Sequence, residues 1–100
     1  MQVTIRINNL ITSTLIQANE NNSFIFINNE KINYNATIFL NKLLPIISSW
    51  DRPKKQLMIK DAENYEITII SENNKKILRG KSYQHSTYKD FKRLISEVMA

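Results

Sequence analysis

The chain has no cysteine, one glycine, one histidine and two prolines in 100 residues. Without cysteine there is neither a disulfide nor a thiolate metal site. A small secreted domain usually needs such staples, so a cytoplasmic protein is expected. A single glycine excludes a glycine-rich phosphate loop, and a single histidine among scattered carboxylates has no metal-ligand spacing. No apolar run approaches the roughly 18 residues of a membrane span, so no membrane partner is expected. The first residues, MQVTIRINNLITSTL, alternate apolar and polar, unlike a signal or transit peptide.

What is present is globular. Apolar residues make up 42% and charged residues 23% of the sequence, enough for one core and one domain over residues 1–100. Isoleucine and asparagine are abundant and alanine scarce, a bias with no folding logic that fits A/T-rich codons and a low-GC bacterium or its phage. The net charge of +5 is uneven: residues 1–50 contribute +1 and residues 51–100 contribute +4. Such a bias favours acidic partners, although a solvated soluble surface also accounts for it.

Val3, Ile5 and Ile7 alternate with polar residues as a half-buried strand does. A second alternating stretch runs from Ile11 to Ile16, a third covers Phe24–Ile27, and a short fourth covers Ile32–Tyr34. Asn-Asn pairs at 8–9, 21–22, 28–29 and 73–74 stand between apolar runs, where asparagine replaces glycine at positive φ. Asn35 can cap a helix with Ala36, Phe39, Leu40, Leu43, Leu44 and Ile47 on one face. Pro45 predicts a kink or an end near Leu44. Three strands follow, at 56–60, 65–71 and 76–79. The last element is an amphipathic helix carrying Tyr88, Phe91, Leu94, Ile95, Val98 and Met99. The order ββββαβββα predicts an α+β domain, an antiparallel sheet of six or seven strands with two helices on one face.

Catalytic chemistry finds little support. His85 has hydroxyls nearby at Ser82, Ser86 and Thr87 but no nucleophile scaffold, and Asp61 and Glu63 are ordinary loop carboxylates. A non-enzyme without cofactor or metal is expected. The stretch RGKSYQHSTYKDF (79–91) divides by role: Gly80 for a backbone angle other residues resist, Thr87 with Asp90 as a near capping box, Tyr88 and Phe91 for the core. Arg79, Lys81, Tyr83, His85 and Lys89 are left as a solvent-facing basic and aromatic cluster, which Lys92 and Arg93 extend into a candidate partner-binding surface. Basic residues interleaved with tyrosines could also hold phosphates and stack on bases. Outward apolar residues such as Ile70 and Met58, with Ile25 and Ile27 competing against Phe24 and Phe26 for the two faces of one strand, could make a protein-binding patch, or a second layer of the chain could cover them.

Two stretches carry a resemblance. Asp61-Ala62-Glu63-Asn64-Tyr65-Glu66-Ile67-Thr68-Ile69 and Gly80–Tyr88, with the helix from Phe91 and the one ending at Ser48-Ser49-Trp50, resemble small uncharacterised proteins of low-GC Gram-positive bacteria and their mobile elements. In those an Asp-Gly turn precedes an aromatic-led strand, and a glycine and Tyr-Pro loop cap a final helix. Here Ala62 replaces the glycine and His85 the proline. The resemblance, over roughly residues 36–98, implies the architecture and no catalytic residue. Stand-alone domains from such sources are often inhibitors. The expected function is therefore a cytoplasmic, non-enzymatic protein-binding inhibitor of the phage anti-CRISPR or toxin-immunity type, acting on a toxin or a nucleic-acid-handling effector. The alternative is a small basic nucleic-acid-binding module that uses the C-terminal surface. Either is a monomer or a weak homo-oligomer.

Overall fold

The computed structural model describes residues 1–52 and 62–100. Their element order is β1 (Gln2–Asn8), β2 (Ser13–Asn19), β3 (Ile25–Ile27), β4 (Glu30–Ile32), α1 (Ala36–Ile47), β5 (Asn64–Ser71), β6 (Asn74–Lys81) and α2 (Tyr88–Met99), with a short 3₁₀ turn at Ser82–Gln84. The strands form one antiparallel sheet of six in the order β4-β3-β2-β1-β5-β6, and both helices pack on one face. This is the expected α+β fold. The strand expected at Gln56–Lys60 lies outside the described residues, as does Met58.

The sheet is built on period-2 alternation. Ile5 of β1 stands opposite Ile16 of β2 and Ile67 of β5, and Ile67 opposite Leu78 of β6. This row is buried beneath Phe39, Leu40 and Leu43 of α1 and Phe91, Leu94 and Ile95 of α2. Strand β3 resolves the competition between its isoleucines and phenylalanines: Ile25 and Ile27 go inward, while Phe26 faces out.

Asparagine supplies most of the positive-φ corners, at Asn21, Asn28 and Asn29, the last two forming the β3–β4 turn. At the β5–β6 turn the positive φ falls on Glu72 instead of Asn73. Asn9 acts through its side chain, whose Oδ1 accepts from the Ile11 and Thr12 amides. Ile11 belongs to that turn and not to β2, which begins at Ser13. Asn35 caps α1 as its sequence position implies, Oδ1 accepting from the Ile38 amide at 3.0 Å. Helix α1 runs through Pro45 to Ile47 instead of ending at Leu44, and proline is tolerated there because Asn41, whose carbonyl loses its partner, is exposed to water.

Candidate functional site

The seven residues Arg79, Lys81, Tyr83, His85, Lys89, Lys92 and Arg93 do not form one surface. His85 is the main correction. It is buried, its imidazole stacked on the Trp50 indole at 4.6 Å between centroids and 7° between planes. Trp50 also meets Tyr65, Tyr88 and Phe91, so the only tryptophan and the only histidine share one aromatic cluster beneath the sheet. Burial lowers the His85 pKa, and its Nε2 shares a hydrogen bond with the Tyr65 hydroxyl. Burial also pushes the Tyr65 hydroxyl up to about 12.

Gly80 and Thr87 serve this cluster rather than the roles their positions suggested. No glycine has a positive φ. A Cβ on residue 80 would lie 2.5 Å from Gln84 Oε1 and 2.7 Å from the Tyr65 hydroxyl, so the position is kept bare by close packing. The Thr87 side chain caps nothing. It accepts from Trp50 Nε1 at 2.8 Å and donates to the Ile46 carbonyl at 2.9 Å, tying the start of α2 to the end of α1. The Tyr88 hydroxyl donates to Glu63 at 2.9 Å, and Lys92 meets the same carboxylate at 3.2 Å. Burial alone would raise the Glu63 pKa, but these bonds outweigh it and hold it low.

The remaining basic residues divide between two sides. Lys89, Lys92 and Arg93 lie on α2, in the helix layer, where Lys92 is engaged by Glu63 and Arg93 by Asp90 at 3.4 Å. Arg79 and Lys81 lie on β6 and point away from the helices, in register with Glu66 and Asn64. Arg79 pairs with Glu66 at 2.8 Å, which lowers the Glu66 pKa. Tyr83 is half-buried in the turn between them.

Register defines what else shares the outer face. Gln2, Thr4, Arg6 and Asn8 of β1 are matched by Leu15, Gln17 and Asn19 of β2 and by Asn64, Glu66, Thr68 and Ile70 of β5. Phe26 with Lys31 extends the face at one side, and Lys75, Ile77, Arg79 and Lys81 at the other. Arg6, Lys31, Lys75, Arg79 and Lys81 thus share a face whose one carboxylate in these rows is Glu66. The apolar side chains make two islands. At one corner Phe24 and Phe26 meet edge to face at 5.5 Å, with the Lys31 ammonium 4.5 Å from the Phe24 ring. At the other, Ile70 and Ile77 are diagonal neighbours, 41% and 40% exposed. Thr4, Gln17 and Thr68 separate them. Sequence reasoning missed Arg6 and Lys31 because they are far from the basic C-terminal stretch, although their place in the alternation marks them as outward.

Among the described residues, no three His, Asp or Glu side chains come together as a metal site would require, and no helix is long and apolar enough to cross a membrane. The chain matches no protein-family model, and comparisons with curated proteins and with solved structures give no match either.

Proposed function

We propose that this chain is a non-enzymatic inhibitor that lays its outer sheet face on an acidic surface of a partner protein and blocks it sterically. The observation that carries the proposal is the character of that face: among the described residues of its strands, five cations against one carboxylate, with two apolar islands between them. A sheet face with its core on the other side needs polar residues, but it does not need one sign of charge. Such a field steers an acidic partner, raising association rates by roughly 10- to 1,000-fold. The apolar islands then offer contact area to a protein surface. The buried, neutral His85 supports a non-enzymatic role, since its imidazole is enclosed by aromatic rings.

The isoleucine- and asparagine-rich composition, with the resemblance over residues 36–98, supports a source among low-GC Gram-positive bacteria and their phages. A toxin or a nucleic-acid-handling defence effector in the cytoplasm is the partner class proposed. One observation favours a second reading, in which the face holds nucleic acid: the Phe24–Phe26 pair could stack on bases while the cations track phosphates.

The test isolates partners of the tagged protein from a low-GC Gram-positive lysate, using wild type and the Lys75→Glu/Ile77→Glu variant, both sites being exposed on the last strand of the described sheet. The captured protein is then purified and its affinity for each measured. One acidic protein bound by wild type and lost by the variant supports inhibition by docking. Tight binding of wild type to a random 25-mer RNA or DNA, weakening steeply as salt rises, replaces it with the second reading.

A further inference from the structure

We infer that the β1–β2 hairpin tip, Leu10-Ile11, is the apolar anchor of the same contact, inserting into a preformed apolar pocket of the acidic protein partner. The inference rests on the proposed docking of the outer sheet face and adds the element that fixes the position of the partner. Leu10 is 86% and Ile11 92% exposed, the highest values among the exposed large apolar side chains of the described residues. Neither side chain stabilises this fold, and the turn does not need them. Its geometry is set by Asn9, whose Oδ1 accepts from the Ile11 amide at 2.8 Å, the Thr12 amide at 2.7 Å and the Thr12 hydroxyl at 3.2 Å. The Asn9 amide donates to the Thr12 carbonyl at 3.0 Å, and the Ser13 hydroxyl donates to Asn8 at 2.7 Å below it.

The tip is also tied to the body. Asn9 Nδ2 donates to Glu63 at 3.4 Å, and Glu63 is itself held by Tyr88 and Lys92 of α2. Two large aliphatic side chains are therefore presented on a braced turn. Bracing lowers the ordering cost of entering a shaped pocket, whereas a fluid bilayer gives no return for shape. Two aliphatic side chains without an aromatic neighbour at the tip are also a weak bilayer anchor. A second copy of a chain with net charge +5 would bring like charges together. Arg6 lies on the outer face one residue before Ile7 and Asn8 lead into the turn, and Lys81 lies across Asn64 from Asn8 at the same end of the sheet. The rim of the tip thus carries Arg6 and Lys81 beside the Lys92-paired Glu63, and a few anchors inside a rim that excludes water carry most of the affinity of a contact. Burying one such side chain changes affinity by about 10- to 100-fold.

A photoreactive benzophenone residue placed at position 11, and separately at position 17 on the outer face, is irradiated in the bacterial lysate. Adducts are identified, and the captured protein is purified for titration with wild type and Leu10→Ser/Ile11→Ser. The expected result is one protein labelled from both positions, bound at least about 100-fold more weakly by the double variant, with a melting temperature within 2–3 °C of wild type. Labelling from 17 but not 11, or less than threefold loss in the variant, overturns the anchor and leaves the docking face standing. Labelling from 11 alone overturns the shared contact and the docking face together, as does the absence of a protein adduct from either position. Sedimentation with phosphatidylcholine–phosphatidylglycerol vesicles that the double variant loses, or adducts between two copies of the chain, overturns the anchor in favour of a membrane or of self-association.

Discussion

Replacing His85 with alanine tests the aromatic cluster directly. The substitution removes the ring stacked on Trp50, an arrangement worth about 0.5–1.5 kcal/mol beyond burial. It also strands the buried Tyr65 hydroxyl, whose lost partner costs about 1–3 kcal/mol. With a small cavity added, and overlap between these effects allowed for, the loss is about 3 kcal/mol. For a chain of this size that lowers the melting temperature by roughly 12–24 °C. Tyr65→Phe alone strands the histidine Nε2 and costs about 1–2 kcal/mol. The double variant strands neither group, so its loss is about 1–2 kcal/mol smaller than the sum of the two single losses. Urea unfolding at pH 7.5, followed by far-UV circular dichroism and by the fluorescence of the only tryptophan, measures all four corners of the cycle. A drop below about 4 °C for His85→Ala, or additivity within about 0.3 kcal/mol, would refute the hydrogen-bonded stack.

Four further outcomes are expected, three from this cluster and one from the β5–β6 turn. Because burial lowers the His85 pKa below its ordinary 6.5, the unfolded chain takes up a proton before the folded one does. Stability is therefore full above about pH 7 and falls as pH drops through 6.5, and His85→Gln flattens that limb in melts between pH 5 and 8. Tyr65, held up to about 12, adds the opposite limb, with stability lost between about pH 10 and 12; Tyr65→Phe removes that contribution. Gly80→Ala pushes a methyl group against Tyr65 and Gln84 and costs about 1–3 kcal/mol in urea unfolding, a value near zero showing that the packing over Gly80 is loose. Glu72→Gly relieves the positive φ of 48° at the β5–β6 turn and raises stability by about 0.5–1 kcal/mol, whereas a destabilised variant would mean the turn tolerates glutamate without strain.

The sheet and helices were legible because each strand alternates and each helix repeats its apolar face, patterns that local sequence carries by itself. Val3, Ile5, Tyr65, Ile67, Phe91 and Leu94 went inward as their spacing implied. The positions that misled are those whose role depends on a distant neighbour. Thr87 stands where a cap belongs, but Trp50 and Ile46 claim its hydroxyl from 37 and 41 residues away. Gly80 suggested backbone freedom, yet the Tyr65 ring decides it. His85 lies between polar residues, and only the approach of Trp50 buries it. Ile11 fits the alternation of a strand, but the side chain of Asn9 begins the turn before it. The basic residues of the C-terminal half were visible in sequence, but their division between β6 and α2 follows from the packing of the layers. Clustering along the chain therefore overstated the site.

That division gives the most direct test of the proposed docking face. Affinity for the purified partner is measured for Lys75→Glu/Ile77→Glu, on the outer face of β6, and for Lys89→Glu/Arg93→Glu, on α2. The first variant is expected to lose at least about 100-fold and the second less than about threefold, with both retaining wild-type circular dichroism. The reverse order, in which the helix variant loses binding and the strand variant keeps it, would place the contact on the helix layer and contradict the account.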